Sequence, residues 1–289
     1  MRFLSALLTS TTLIFTSLHA AAAPLVKTGE SIAFLGDSIT NQGAATPGGY
    51  VRLVESGFAA HGIQPTILPA GVGGNKSNQM LERLDKDVLS KNPTWMTLSC
   101  GVNDVWQGNS GVPLEDYKKN ITQILDRCQQ AGVKVMLFTA TQIYLPLTNG
   151  GNTKLGGYND FLRETAKARN LPLADVSAAM AAEQANLEAA GIKRVLTVDG
   201  VHMNIYGNVM MAKTVLAAFG LDEGQIAAAE AKWQDIPETC ITTPKAAISL
   251  AELKALEAYA KSQNKSVETV LDETWASAIR TVVQGAPAK

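Results

Sequence analysis

Ser38, Asp199 and His202 are the residues of this chain whose types and spacing fit a hydrolysis. An unassisted serine hydroxyl is a poor nucleophile at neutral pH and needs a base, most often a histidine oriented by a carboxylate. Of the three histidines, His19 lies in an N-terminal segment expected to be cleaved, and His61 stands beside Gly62 at a helix end, where a polar or cationic cap explains it. That leaves His202. Asp199, three residues earlier, is close enough in a turn to meet Nδ1 and direct Nε2 towards Ser38. Ser38 follows the apolar run Ile32 to Leu35, which breaks into Gly36-Asp37-Ser38-Ile39-Thr40 and would hold the hydroxyl at the end of a buried strand. Each motif alone is an ordinary turn; what distinguishes them is their combination.

Acyl transfer also needs donors aimed at the oxyanion that develops on the scissile carbonyl. In Gly71-Val72-Gly73-Gly74-Asn75 a glycine can bring its backbone N–H close to a substrate, and Gly73 and Gly74 are both candidates. Asn103 offers a neutral amide that donates at every working pH. Trp106 offers an aromatic face for a pyranose ring, and fits a core position equally well. Asp37 and Asp104 read as residues that fix their own loops.

These segments need a scaffold to bring them together. Short apolar runs at Ile32 to Leu35, Thr66 to Leu68, Trp95 to Ser99, Val133 to Phe138 and Leu171 to Val176 alternate with helical periodicity. The helices are expected near Tyr50 to His61, Ser77 to Leu89, Leu114 to Gln130 and Tyr158 to Arg169, with a last core helix from about Tyr206 to Phe219. The pattern predicts an α/β fold, a three-layer, doubly wound sandwich with a central parallel sheet. Such a sheet gathers its chemistry outside the carboxyl ends of the strands. Four blocks fall there: Gly36 to Thr40, Gly71 to Asn75, Gly101-Val102-Asn103-Asp104 and Asp199-Gly200-Val201-His202.

Together and in this order the blocks resemble those of the SGNH or GDSL serine hydrolases, over roughly Ser31 to Leu221. The resemblance implies the flavodoxin-like fold of that family, an esterase without cofactor or metal, Gly74 rather than Gly73 as the glycine donor from its alignment with the second-block glycine before Asn75, and the backbone N–H of Ser38 as a third oxyanion donor. Two look-alikes fail on spacing. No phosphate-loop register fits Gly71 to Ser77, because Asn75 precedes Lys76. Ser38 is not in G-x-S-x-G, because Thr40 takes the final position.

The rest of the chain bounds where such an enzyme works. Arg2, the apolar stretch Phe3 to Leu18 and small residues at Ala20 to Ala23 predict a signal peptide over 1–23, cleaved to leave a secreted or periplasmic protein. The stretch is interrupted by serines and threonines and falls short of the roughly 20 apolar residues of a membrane span. Losing Arg2 leaves 24 of the 25 basic residues against 26 acidic, a formal net of about −2, which gives no footprint for nucleic acid. Cys100, Cys128 and Cys240 allow at most one internal bridge, and no pairing or oligomeric state can be read from them. Residues 28–221 are assigned to the hydrolase domain, and 222–289 to a helical C-terminal extension with a capping-box start at Ser249 and Glu252.

The expected partner is a small or polymeric ester, with an acetylated glycan favoured by export, Trp106 and the lack of a long apolar lid. Lipase, arylesterase and thioesterase activities are the alternatives within the family. From other classes come a catalytically silent glycan-binding module and a phosphoesterase holding a divalent cation on Asp37, Asp104, Asp199 and His202. The last leaves Ser38 and the Gly-Asn donors without a purpose.

Overall fold

The structure, a computed structural model, describes residues 23–191, 196–236 and 249–285. Residues 1–22, which hold nearly all of the expected signal peptide, and Cys240 lie outside them. Five strands form one sheet: β1 (Ser31–Gly36), β2 (Thr66–Gly71), β3 (Trp95–Ser99), β4 (Lys134–Phe138) and β5 (Leu173–Ala174). All neighbours are parallel, in the order β2-β1-β3-β4-β5. The chain therefore leaves β1 on one side to form β2 and returns to its other side as β3. That reversal opens a crevice beyond the carboxyl ends of β1 and β3, where ligands of doubly wound sheets bind.

The covering helices are α1 (Ser38–Ala45), α2 (Tyr50–Ala59), α3 (Ser77–Glu82), α4 (Leu84–Asp87), α5 (Val102–Trp106), α6 (Leu114–Gln130), α7 (Gly150–Arg169), α8 (Val176–Ala189), α9 (Ile205–Ala218) and α10 (Glu223–Trp233). This is the predicted α/β/α sandwich. Strand β1 is covered on both faces, and its Ile32, Ala33, Phe34 and Leu35 have no exposed surface. Such a strand reads as a continuous apolar run because helices pack on either side of it. Aromatic rings lock the layers: Phe34, Tyr50 and Phe138 meet edge to face, as do Phe58, Phe219 and Trp95. Full burial of each phenylalanine contributes roughly 1.5 to 3 kcal/mol, so the strand ends that carry the blocks rest on a rigid base.

Several elements differ from the expectation, each for a local reason. The predicted strand Leu171 to Val176 shrinks to two residues, because Asp175 accepts the N–H of Ala178 and starts α8 there. Helix α7 begins eight residues early, at Gly150, where Asn149 caps it through the N–H of Asn152. The stretch Ser77 to Leu89 divides into α3 and α4 at Arg83. Helix α10, assigned from sequence to the extension, packs on α2 and α9 by burying Ile226, Ala229 and Trp233. His61 fixes it by donating Nε2–H to the Gln225 carbonyl at 2.8 Å. The first compact unit thus includes α10.

The second unit is described by itself. It holds α11 (Leu250–Ser262) and α12 (Val267–Gly285), with the capping box of Ser249 and Glu252 formed and Ser266 capping Thr269. Among the described residues no helix is long and apolar enough to cross a membrane. Cys100 and Cys128 are buried and unbridged.

Candidate active site

Ser38 is the first residue of α1, immediately beyond β1, with Asp37 as the cap. Asp37 Oδ1 accepts the N–H of Ile39 at 2.9 Å, which closes the first turn and leaves the Ser38 side chain half-buried at the helix start. His202 reaches it from the turn before α9: its Nε2 lies 2.8 Å from Ser38 Oγ, and its Nδ1 lies 2.6 Å from Asp199 Oδ2. A carboxylate only accepts, so Nδ1 carries the proton and Nε2 offers its lone pair to the serine hydroxyl. Asp199 is itself held, Oδ1 accepting the backbone N–H groups of Val201 at 3.0 Å and His202 at 2.8 Å. Those bonds and the histidine keep its carboxyl below the ordinary carboxylate range although burial opposes them. Ser38 is therefore joined to a histidine and a carboxylate more than 160 residues along the chain in one relay.

The segments that carry the donors predicted for the oxyanion border Ser38 and its neighbour Asp37. Helix geometry gives the N–H of Ser38 no intrahelical acceptor, since Ser38 is the first helical residue. Gly74 has φ +74°, a conformation that favours glycine, and its carbonyl accepts Gln107 Nε2 at 2.8 Å. A β-carbon placed on Gly73 would stand 4.0 Å from the Ser38 Cβ. The peptide that carries the Gly74 N–H thus starts at the glycine bordering the nucleophile. Asn103, on α5 beyond β3, is buried and aims Nδ2 at Asp37 Oδ2 and at the Asn75 carbonyl, both at 3.2 Å. Bonds of that length exchange readily for a shorter one to a developing anion.

The carboxylates named as a rival cation set are engaged apart from one another. Asp104 accepts both the N–H and the hydroxyl of Ser77, the latter at 2.6 Å, tying the start of α3, just past the second block, to the third block. Asp37 serves Ile39 and Asn103, and Asp199 serves His202. Among the described residues no cluster of metal-ligating side chains forms. Burial pushes the Asp37 carboxyl up to about 6 against the lowering effect of the Ile39 N–H and His202. Burial also raises Asp104.

Two residues at the site were not read from the sequence. Arg83, between α3 and α4, donates to the carbonyls of Gly36 and Ala70 at 2.8 Å each, to Asn75 Oδ1 at 2.7 Å and to Asp87 at 2.9 Å. One guanidinium therefore fixes the end of β1, the end of β2 and the loop that carries Gly73, Gly74 and Asn75 together. An arginine in an amphipathic stretch looks like a solvated face, and no sequence signal separates the two. Tyr144 stands in the loop after β4, donating its N–H to the Gly200 carbonyl at 2.7 Å. Its ring meets that of Trp106 edge to face at 6.2 Å, so Trp106 faces the site's surroundings and not the core.

The chain matches the model of the GDSL-like Lipase/Acylhydrolase family over residues 34–208. It is 23% identical over 218 residues to an acetylxylan esterase of Geobacillus stearothermophilus, covering 68% of this chain and 97% of that one. An uncharacterized lipoprotein of Bacillus subtilis, YqeF, shares 25% identity over 130 residues, 38% of this chain and 54% of that protein. Among solved structures, the acetyl xylan esterase AlAXEase aligns with a TM-score of 0.61 at 31% identity, over 65% of this chain and 98% of that one. The G. stearothermophilus acetylxylan esterase aligns with the same score at 24% identity, over 68% and 97%. The family match takes in more than half of the chain and all four blocks, and with these relatives it makes the protein a member of the GDSL-like lipase/acylhydrolase family and a carboxylic ester hydrolase.

Proposed function

We propose that the protein removes O-acetyl groups from carbohydrates through an acyl-enzyme on Ser38, and that it works outside the cytoplasm after cleavage of residues 1–23. The observation that carries the mechanism is the relay Ser38–His202–Asp199, with contacts of 2.8 and 2.6 Å. His202 Nε2 takes the hydroxyl proton as Ser38 Oγ attacks the acetyl carbonyl. The N–H groups of Ser38 and Gly74 and the Asn103 amide receive the oxyanion. The imidazolium then gives its proton to the departing sugar oxygen, and the acetyl-serine forms. Water, deprotonated by His202, attacks that ester and releases acetate as the proton returns to Ser38. Kinship with two acetylxylan esterases and the aromatic faces of Trp106 and Tyr144 support a sugar as the alcohol.

A serine-reactive phosphonate should label the wild type at Ser38 and leave Ser38→Ala unlabelled, inactive and folded. A Ser38→Ala protein hydrolysing esters near the wild-type rate would remove Ser38 from the mechanism. Acetyl xylan, acetylated pectin, sialic acid acetates and p-nitrophenyl esters of increasing chain length then rank the substrate. Preference for long acyl chains over every acetylated glycan would replace the carbohydrate reading with a lipase. For export, the mature protein recovered outside the cytoplasm should begin near residue 24; an intact Met1 there would refute cleavage.

A further inference from the structure

Tyr144 and Trp106 are large aromatic side chains that neither the core nor the serine relay uses. Each leaves close to half of its surface in solvent, 44% and 43%, although burying such rings is favourable. Their positions join the two halves of the site. Trp106 ends α5, one turn beyond Asn103 on the oxyanion side. Tyr144 lies on the histidine side. Its ring occupies the space where a side chain at Gly200 would begin: a β-carbon there would meet Tyr144 Cδ1 at 2.1 Å, and Gly200 has φ +94°.

The backbone under Tyr144 is built to hold it there. Tyr144 has φ +55°, a region that a tyrosine seldom occupies. Asn149 Nδ2 donates to the Ile143 carbonyl at 2.7 Å and to the Tyr144 carbonyl at 3.2 Å. Asn152 accepts the Ile143 N–H at 2.7 Å and donates to the Tyr144 carbonyl at 3.1 Å. With the bond from the Tyr144 N–H to Gly200, this makes a costly conformation over-determined, and what it presents to solvent is an aromatic ring. Strain maintained in this way belongs to binding and catalytic positions more often than to plain loops.

We propose that Tyr144 is a substrate-binding residue which, with Trp106, forms an aromatic corner that takes the pyranose ring bearing the scissile acetyl group. The proposal rests on the carbohydrate reading above. The two rings stand 69° apart, so a sugar stacks its C–H face on one while its edge meets the other. The acetyl group, attached at that edge, extends between the oxyanion donors and His202. Tyr144 is thus a specificity residue for the alcohol and takes no part in proton transfer.

The test compares Tyr144→Ala and Tyr144→Phe with wild type on acetylated xylo-oligosaccharides and on vinyl acetate, an ester without a ring to stack. Tyr144→Ala should raise KM for the oligosaccharide on the order of tenfold with kcat within about threefold, and Tyr144→Phe, which keeps the ring, should restore KM. An unchanged oligosaccharide KM in Tyr144→Ala overturns the proposal. So does an equal loss of kcat on both esters, which would make Tyr144 a support for the Asp199–His202 turn only. A wild type that turns over vinyl acetate but no acetylated oligosaccharide overturns the carbohydrate reading instead, and the corner's sugar with it.

Discussion

Asp199→Asn should be a worse enzyme than Asp199→Ala, although asparagine is the closer replacement. The carboxylate uses its two oxygens differently: Oδ1 accepts two backbone N–H groups and Oδ2 accepts the imidazole. In the Asp199→Asn variant the amide oxygen must stay with the backbone donors, which turns the NH2 towards His202 Nδ1. That nitrogen must then accept, the ring proton moves to Nε2, and the lone pair no longer faces Ser38. Flipping the amide would restore the tautomer but set two N–H groups against an NH2, at a cost of roughly 3 kcal/mol. The competent form would thus be about one molecule in a hundred or fewer. Alanine imposes no wrong tautomer; it removes the charge that stabilises the imidazolium and, at this half-exposed turn, leaves the N–H groups of Val201 and His202 to water. The Asp199 side chain is 52% exposed, so the pair lies between the limits of about 1 kcal/mol in water and 4 kcal/mol near a protein surface. A loss of about 2.5 kcal/mol corresponds to a roughly 70-fold fall in kcat. Asp199→Asn adds the tautomer penalty and falls by about 10³ to 10⁴. The assay is kcat on p-nitrophenyl acetate for both variants, with circular dichroism to verify the fold. An Asp199→Asn enzyme as fast as Asp199→Ala, or faster, would refute the reasoning, because Oδ1 would then not anchor the amide.

Asn103→Ala should cost on the order of 100-fold in kcat with a smaller change in KM, since its amide acts on charge that develops in the transition state; a raised KM with kcat spared would make it a ground-state contact. Asp37→Asn tests the buried carboxyl, which holds a proton up to about pH 6 in the fold and only to about 4 when unfolded. The folded state binds the extra proton between those values, so the wild type loses stability as pH rises from about 4 to 6, by up to about 3 kcal/mol relative to Asp37→Asn; a difference constant across urea melts at pH 4, 5, 6 and 7 would contradict this. Arg83→Lys keeps the charge but cannot fork onto Gly36, Ala70 and Asn75 together. Losing about 2 kcal/mol should lower Tm by roughly 4 to 8 °C and reduce kcat more than KM changes; an unaltered Tm would show that the carbonyls find other donors.

What could be read from the sequence follows from how each feature is encoded. Ser38, Asn103 and the Gly74 segment each sit directly after an apolar run, so strand periodicity alone places them at one end of the sheet. His202 was reached by elimination, and its spacing from Asp199 allows the turn that forms. The fold class was legible for the same reason, because alternating runs admit few layer arrangements. Helix α8 was not, since Gln184 sits in its buried face beside Val176, Met180 and Leu187 while alanines fill much of the exposed face, which leaves no clear apolar stripe. In α10, the Asp222 and Gln225 capping box and the spacing of Ile226, Ala229 and Trp233 were available signals of a packed helix, hidden by an alanine-rich composition.

Arg83 and Tyr144 mark a different limit. Their roles depend on what the fold brings to them, carbonyls from two strands in one case and the Gly200 turn in the other. A motif records residues that act on the substrate through adjacent backbone; a residue that holds three such segments in register has no fixed spacing to any of them. The geometry of the relay is therefore set partly by positions outside every block. Ser38 to His202 Nε2 at 2.8 Å depends on β1 ending where Arg83 grips the Gly36 carbonyl, and on the histidine turn resting where the backbone N–H of Tyr144 holds the Gly200 carbonyl, a contact that side-chain substitution at Tyr144 leaves in place. Because a misplacement of about 1 Å can cost a hundredfold in rate, the proposed mechanism predicts that substitutions at Arg83 lower kcat even though its side chain bonds to no member of the serine relay.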